Sequence, residues 1–196
     1  DRGYENIDGT AVLDEYDSES FVVKGERKII PTNEKFSFGY GSEYKYDWGT
    51  FENRGSYIAS TKGHMKDLGF FANVGYKLKE NSILSFYGRS DDHNTTGRNQ
   101  TYKLNFTQIL GKIELGATHS TGLRNPTLYE LYGTDNYGIG GNVNLDPEKS
   151  KTNELYGKYN FSNKLSFAST AFRTTIFDRI ESNAAYSRHE NQLINL

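Results

Sequence analysis

Alternation with a period of two runs through most of this chain. Its clearest stretch is Phe36–Tyr46, where Phe36, Phe38, Tyr40, Tyr44 and Tyr46 fall on one face. Ser37, Gly39, Gly41, Glu43 and Lys45 fall on the other. A helix, which repeats every ~3.6 residues, cannot sort side chains this way. Leu68, Phe70, Ala72, Val74, Tyr76 and Leu78 make a second such stripe. Tyr102, Leu104 and Phe106 start a third, and Leu155, Gly157, Tyr159 and Phe161 a fourth. The pattern predicts eight strands, at about 20–29, 35–47, 67–78, 83–91, 99–110, 113–121, 151–161 and 164–177. A further strand opens near 190–196, and another is expected within 2–13. Several of these exceed the five or six residues typical of a globular sheet. They match the roughly 9–11 tilted residues that cross a bilayer.

The connections alternate in length. Ile30–Glu34, Lys79–Ser82, Gly111-Lys112 and Ser162-Asn163 are short. Trp48–Lys66, Asp92–Arg98, Gly122–Ser150 and Asp178–His189 are long. In an up-and-down meander this places every tight turn at one end and every long loop at the other, as in outer-membrane barrels. A soluble β-sandwich or solenoid also alternates along its strands, but has no reason to sort its loops. The expected fold is therefore all-β, an antiparallel up-and-down segment of a transmembrane barrel. Only a closed sheet satisfies its backbone in lipid.

Composition narrows the function. With 23 Lys+Arg against 25 Asp+Glu the net charge is −2, which excludes the basic footprint of a nucleic-acid binder. There is no Cys, hence no disulfide, cysteine nucleophile or Cys-ligated zinc. No apolar run approaches the ~18 residues of a membrane helix. The 15 Tyr and 12 Phe argue against disorder. The chain opens at Asp1 and stops at Leu196 within an alternating stretch, so it is expected to be a fragment of a longer protein.

Gly122–Ser150 is the most informative loop. Asn125 followed by Pro126 predicts a helix start, Leu128, Leu131 and Tyr132 share a face, and Gly133 ends it. Ser120–Gly133 (Ser-Thr-Gly-Leu-Arg-Asn-Pro-Thr-Leu-Tyr-Glu-Leu-Tyr-Gly) resembles a signature of TonB-dependent outer-membrane receptors. So does Gly-Asn-Val-Asn-Leu-Asp-Pro-Glu-Lys-Ser at Gly141–Ser150, followed by Glu154 and Gly157. Gly88-Arg89-Ser90-Asp91-Asp92 and Phe172–Ile176 fit the same family, and the resemblance spans about 70–180. Leu123 stands where the family usually has an aromatic residue, and Asn125 where it often has Ala. Within the family the vitamin B12 (cobalamin) receptors are the most similar, and siderophore receptors share much of the pattern.

The resemblance implies a barrel of about 22 strands, of which this chain would supply eight to ten, in the outer membrane of a Gram-negative bacterium. It implies an N-terminal plug domain and closing C-terminal strands, both outside residues 1–196. It implies outer-membrane lipid around the barrel, a TonB complex acting through the plug, and a cargo such as cobalamin or an iron–siderophore. A passive porin-like channel or a soluble carbohydrate-binding β-sandwich is the alternative of another class.

Candidate residues follow from the period and the loops. Glu43, Lys45, Asn73, Lys77, Lys103, Asn105, Glu154 and Lys158 are expected to line the lumen and face the plug. Aromatic residues of the external loops, Trp48, Phe51, Tyr57, Tyr129, Tyr132 and Tyr137, are ligand-contact candidates, because amphipathic rings grip a large apolar-faced ligand. Arg124 joins them, with a structural role through carboxylates as its other reading. No catalytic constellation stands out. Asp91, Asp92 and His93 sit at an external strand end, where a barrel-rim hydrolase would keep its acid, base and metal ligands, with exposed polar loop residues as the favoured reading. Among the acidic residues of the opening segment, Asp8, Asp14 and Asp17 are calcium candidates, without the spacing of a calcium loop.

Overall fold

A computed structural model describes residues 2–5, 11–29, 31, 35–53, 59–134, 140–182 and 193–196. Its main body is a sheet of nine strands in sequential order, every neighbouring pair antiparallel. The strands are β1 (Arg2–Glu5), β2 (Ala11–Ile29), β3 (Phe36–Asn53), β4 (Ala59–Lys79), β5 (Ser82–His93), β6 (Gly97–Leu110), β7 (Ile113–Arg124), β8 (Glu148–Ser162) and β9 (Leu165–Phe177). A short helix, α1 (Leu128–Tyr132), lies between β7 and β8, and a small hairpin, β10 (Ile180–Ser182) with β11 (Leu193–Asn195), follows β9. Among the described residues β1 and β9 have no second partner, so the barrel does not close within this chain.

Burial runs opposite to that of a water-soluble sheet. Along β7 and β8 the residues of the apolar stripe are exposed, Leu115 at 46% and Leu155 at 66%, while the polar stripe is half-buried. Phe70, Phe86, Leu104 and Phe167 are likewise exposed. In a sandwich this face would be the core. Here it meets lipid, which removes the penalty of exposing it to water.

The register gives the strand tilt. One row of mutually paired outward residues reads Ile29, Phe38, Val74, Phe86, Leu104, His119, Asn153, Arg173. It begins apolar on β2 and ends polar on β9. On β9 the outward apolar residues end at Arg173, whereas on β2, above Arg27 at the lower margin, the outward pair Val23 and Phe21 ends at Glu19, five paired rows further up. At about 6.7 Å per two-residue row and about 4.8 Å between strands, that is a climb of about 33 Å over about 34 Å of sheet. The band therefore crosses the strands at about 45°, close to the tilt of membrane barrels.

Two long connections are corrections to the sequence reading. Trp48–Lys66 is not a loop: β3 continues to Asn53 and β4 starts at Ala59, in unbroken register from Asn53↔Ala59 downward. Asp92–Arg98 closes as a three-residue turn, where the His93 Nδ1 accepts from the Thr95 hydroxyl at 2.8 Å and the Thr95 amide at 3.3 Å. The strand expected within 2–13 exists as the short pair Arg2–Glu5 with Ala11–Asp14.

Candidate functional site: the inner wall and the loop that crosses it

Above the apolar band the alternation of β3 and β4 inverts. Phe51 and Met65 point inward and are buried at 4% and 8% exposure, while Trp48, Lys62, His64 and Lys66 point outward. The inward pair exists to receive α1, which packs on β3 and β4 although its chain leaves from β7. Leu128, Leu131 and Leu145 join Phe51 and Met65 in a small core, with Tyr129, Tyr132, Ile180 and Leu193 packed around it.

Local chemistry sets the helix. Its N-cap is Thr127, two residues later than the Asn125-Pro126 signal suggests. The Thr127 Oγ1 accepts from the Glu130 amide at 3.2 Å, and the Thr127 amide donates to the Glu130 carboxylate at 2.7 Å. This reciprocal capping box outranks a lone Asn-Pro start because it satisfies two orphan amides at once. The Asn125 Oδ1 instead accepts from the Thr96 hydroxyl at 3.0 Å.

Arg124 fastens the loop at both ends. Its Nε and Nη2 donate to Glu148 at 2.7 and 2.8 Å, and its Nη1 donates to Glu130 at 2.9 Å. Hydrogen bonds from Arg124 push the Glu148 carboxyl down to about 2. For Glu130, burial opposes the charged form, but the hydrogen bonds from Arg124 and the Thr127 amide outweigh it and hold its pKa below the usual value. Both pKa values are depressed, so the stabilisation is complete above the ordinary 4.5 and lost as pH falls toward 2. Hydrogen exchange across Leu128–Tyr132 is expected to stay slow from neutral pH to about 4 and to accelerate on further acidification toward 2, after correction for intrinsic rates. Unchanged protection at pH 2 would sink this assignment.

Gly63 is needed for close approach. A Cβ there would lie 2.1 Å from the Tyr132 ring. Gly63→Ala is expected to displace Tyr132 and loosen α1, read as faster exchange of the helix amides with the lower strands unaffected. Equal exchange in both proteins would show that the ring simply turns away.

The candidate ligand residues divide. Phe51 and Tyr129 do come together, with ring centroids 5.8 Å apart, and Tyr16 of β2 completes the group at 5.8 and 5.4 Å. They border a groove of about 640 Å³ that also meets Lys45, Asp47 and Glu19. Trp48 is a correction: it lies in β3, not in a loop, and takes the outward face, stacked on Tyr46 at 5.2 Å. Tyr132 packs against Gly63 and its carbonyl accepts from the Thr61 hydroxyl. Arg124 already spends its guanidinium on two carboxylates. Tyr57 and Tyr137 lie outside the described residues.

The expected lumenal set shares the inner face: Glu43, Lys45, Asn73, Lys77, Lys103, Asn105, Glu154 and Lys158 all have the parity opposite to the apolar stripe. Sequence reasoning missed the centre of their network. Arg89 donates to Asp91 at 2.7 Å and to Glu43 at 2.9 Å, and Lys45 pairs with Asp47 at 2.7 Å. Phe71, aromatic on the polar face, is accommodated by Lys24 at 5.2 Å, Arg89 at 5.9 Å and the stacked ring of Tyr87. The signal for this group was present in the alternation of Tyr87, Arg89 and Asp91.

Other candidates do not assemble. Asp91 and His93 face inward, while Asp92 faces outward toward Arg98. Asp14 and Asp17 belong to β2 rather than to a loop, and their parities put them on opposite faces, so these two do not share a calcium ion. Asp8 lies outside the described residues. Among those residues no group of three or more acidic or His side chains is arranged to hold a metal.

Comparison with known proteins agrees with this architecture. The sequence model of the family described as "TonB dependent receptor-like, beta-barrel" matches residues 2–195. The vitamin B12 transporter BtuB of Photobacterium profundum is 37% identical over 68 residues, which is 34% of this chain and 11% of that protein. The siderophore receptor PirA of Pseudomonas aeruginosa superimposes with a TM-score of 0.72 at 23% identity, over 92% of this chain and 34% of the receptor. The ferric enterobactin receptor PfeA of the same organism gives 0.75 at 19% identity, over 97% and 32%. The chain thus spans about a third of the solved receptors it matches. With an outward apolar band, a polar inner wall and a family match over nearly its whole length, the chain belongs to the TonB-dependent receptor β-barrel family, whose members are transporters of the Gram-negative outer membrane.

Proposed function

We propose that this chain is one section of the barrel of an active importer, its plug and closing strands lying outside residues 1–196. Its cargo is a bulky nutrient complex that enters past the external mouth, and TonB drives uptake by acting on the plug. The observation that carries this reading is the groove under α1. Tyr16, Phe51 and Tyr129 offer ring surface to an apolar-faced ligand, and Lys45 and Asp47 offer polar contacts beside it.

A cobalamin-like cargo fits better than an iron–siderophore of polyanionic type. The inner wall next to the groove carries Glu43, Asp47, Asp67 and Asp91 against Lys24, Lys45 and Arg89. Each of these cations is already paired with a carboxylate, so the wall presents no free positive patch to a polyanionic ferric catecholate and leaves a neutral corrinoid unpenalised. The partial similarity to a vitamin B12 transporter points the same way.

The test uses the full-length parent protein, assayed for radiolabelled cobalamin uptake in strains with and without TonB. Uptake that requires TonB is expected. Uptake independent of TonB would favour a passive channel. No uptake by protein that reaches the outer membrane would move the cargo to siderophores.

A further inference from the structure

The outward face holds a feature that transport does not use. Where β6 to β9 leave the apolar band, Ala117, Leu155 and Ala171 sit side by side in register. The two alanines leave a furrow beside Leu155, part of a cavity of about 660 Å³ whose apolar wall includes Leu84, Leu104 and Phe106. The next row up is polar: His119, Asn153 and Arg173. His119 is held on both ring nitrogens, by the Tyr102 hydroxyl at 3.2 Å and the Asn153 Oδ1 at 2.8 Å. Lys151 follows one row above, over the Phe177 ring at 5.5 Å, and Lys149 two rows above.

The charges here are one-sided. The outward residues of β7, β8 and β9 above the band include Lys149, Lys151 and Arg173 and no carboxylate. Lys149 reaches Asp178 at 3.6 Å, whereas Arg173 and Lys151 have no carboxylate partner among the described residues. Cations on the lipid face at this depth are stable when an anionic headgroup meets them. The end of the strands concerned carries the long loops, hence the outer leaflet.

We propose that this patch is a binding site for a phosphorylated glycolipid of the outer leaflet. An acyl chain lies in the Ala117–Ala171 furrow, and a phosphate is held by Arg173 and Lys151. The hydrogen-bonded Tyr102–His119–Asn153 chain keeps the wall below the phosphate rigid.

The experiment uses the full-length receptor, delipidated in detergent and titrated with bisphosphorylated lipid A under native mass spectrometry. Dephosphorylated lipid A and phosphatidylethanolamine are the comparison lipids. The receptor carrying both Arg173→Gln and Lys151→Gln is expected to bind bisphosphorylated lipid A about tenfold more weakly or worse. Ala171→Phe, which fills the furrow, is expected to weaken phosphorylated and dephosphorylated lipid A alike. Lys158→Gln on the inner face is the control. Arg173→Lys, combined with native Lys151, is expected to retain most of the binding and so separates charge from folding damage. Equal binding of the three lipids, or unchanged binding in the double variant, would overturn the site and leave only ordinary boundary lipid. Neither result bears on cargo uptake, so this inference stands or falls apart from the transport reading.

Discussion

Val74→Arg in the full-length receptor is expected to lose about 2–4 kcal/mol of stability in the bilayer, the cost of a cation near the middle of a barrel's lipid face. Val74 lies within the outward stripe, exposed and flanked in register by Phe38 and Phe86. Its neighbour Asn73 points to the inner face, so Asn73→Arg places the same charge one residue away in a wetted environment. The readouts are the amount of receptor in the outer membrane and the heat-dependent shift of its gel mobility. The Val74 variant should be depleted several-fold, and the Asn73 variant should match the parent. Similar behaviour of the two variants would contradict the assignment of faces, and with it the membrane reading of every strand.

Arg124→Ala should release α1 without unfolding the sheet. The change removes the shared partner of Glu130 and Glu148 and leaves two carboxylates facing a vacated site. A hydrogen bond to a charged group is worth about 1.5–3 kcal/mol in a part-buried setting. The Arg124 side chain is 42% exposed, so solvent screening brings the expected loss for the whole cluster to about 2 kcal/mol. Limited proteolysis of the full-length receptor is the measurement, with cleavage expected to rise about tenfold within 125–147 and not in β3 or β4. Arg124→Lys should rescue only in part, because an ammonium lacks the fork that reaches both carboxylates. Cleavage at the parent rate would mean that the Leu128–Leu131 packing holds the loop unaided.

The strands inside the membrane were legible because lipid imposes one simple rule. Phe36–Tyr46 and Leu68–Leu78 alternate cleanly since one face touches hydrocarbon throughout. The rule stops where the bilayer stops. Past Asp47 the inward position changes from polar to apolar, with Phe51 and Met65 buried under α1 and Lys62 and Lys66 turned out. A reading that expects outward aromatics takes this inversion for a loop, which is why Trp48–Lys66 does not read as strand. The helix was legible as to place but not as to start. Asn125-Pro126 draws attention from Thr127-x-x-Glu130, although the competing cap is written in the same stretch. Arg124 shows the limit of local reasoning most clearly. Its motif marks it as special, but whether it meets a ligand or a carboxylate depends on Glu148, 24 residues away. Tyr16 is similar, because nothing in β2 announces that Phe51 and Tyr129 will converge on it.

The helix that leaves β7 and rests on β3 and β4 spans the arc of the intervening strand pairings like a chord. A curved sheet is easily flexed across its strands, since only hydrogen bonds resist a change in the angle between neighbours. A chord anchored at both ends fixes the distance between them and so fixes the curvature. The anchors differ in kind: ion pairs hold the β7–β8 end, and apolar packing holds the β3–β4 end. The hairpin of β10 and β11 adds a third tie, where Asn195 donates to the carbonyls of Asp146 and Asp178 at 2.9 and 2.6 Å. Across this arc of the wall the curvature is therefore set at one rim by ties that run over the strands rather than along them.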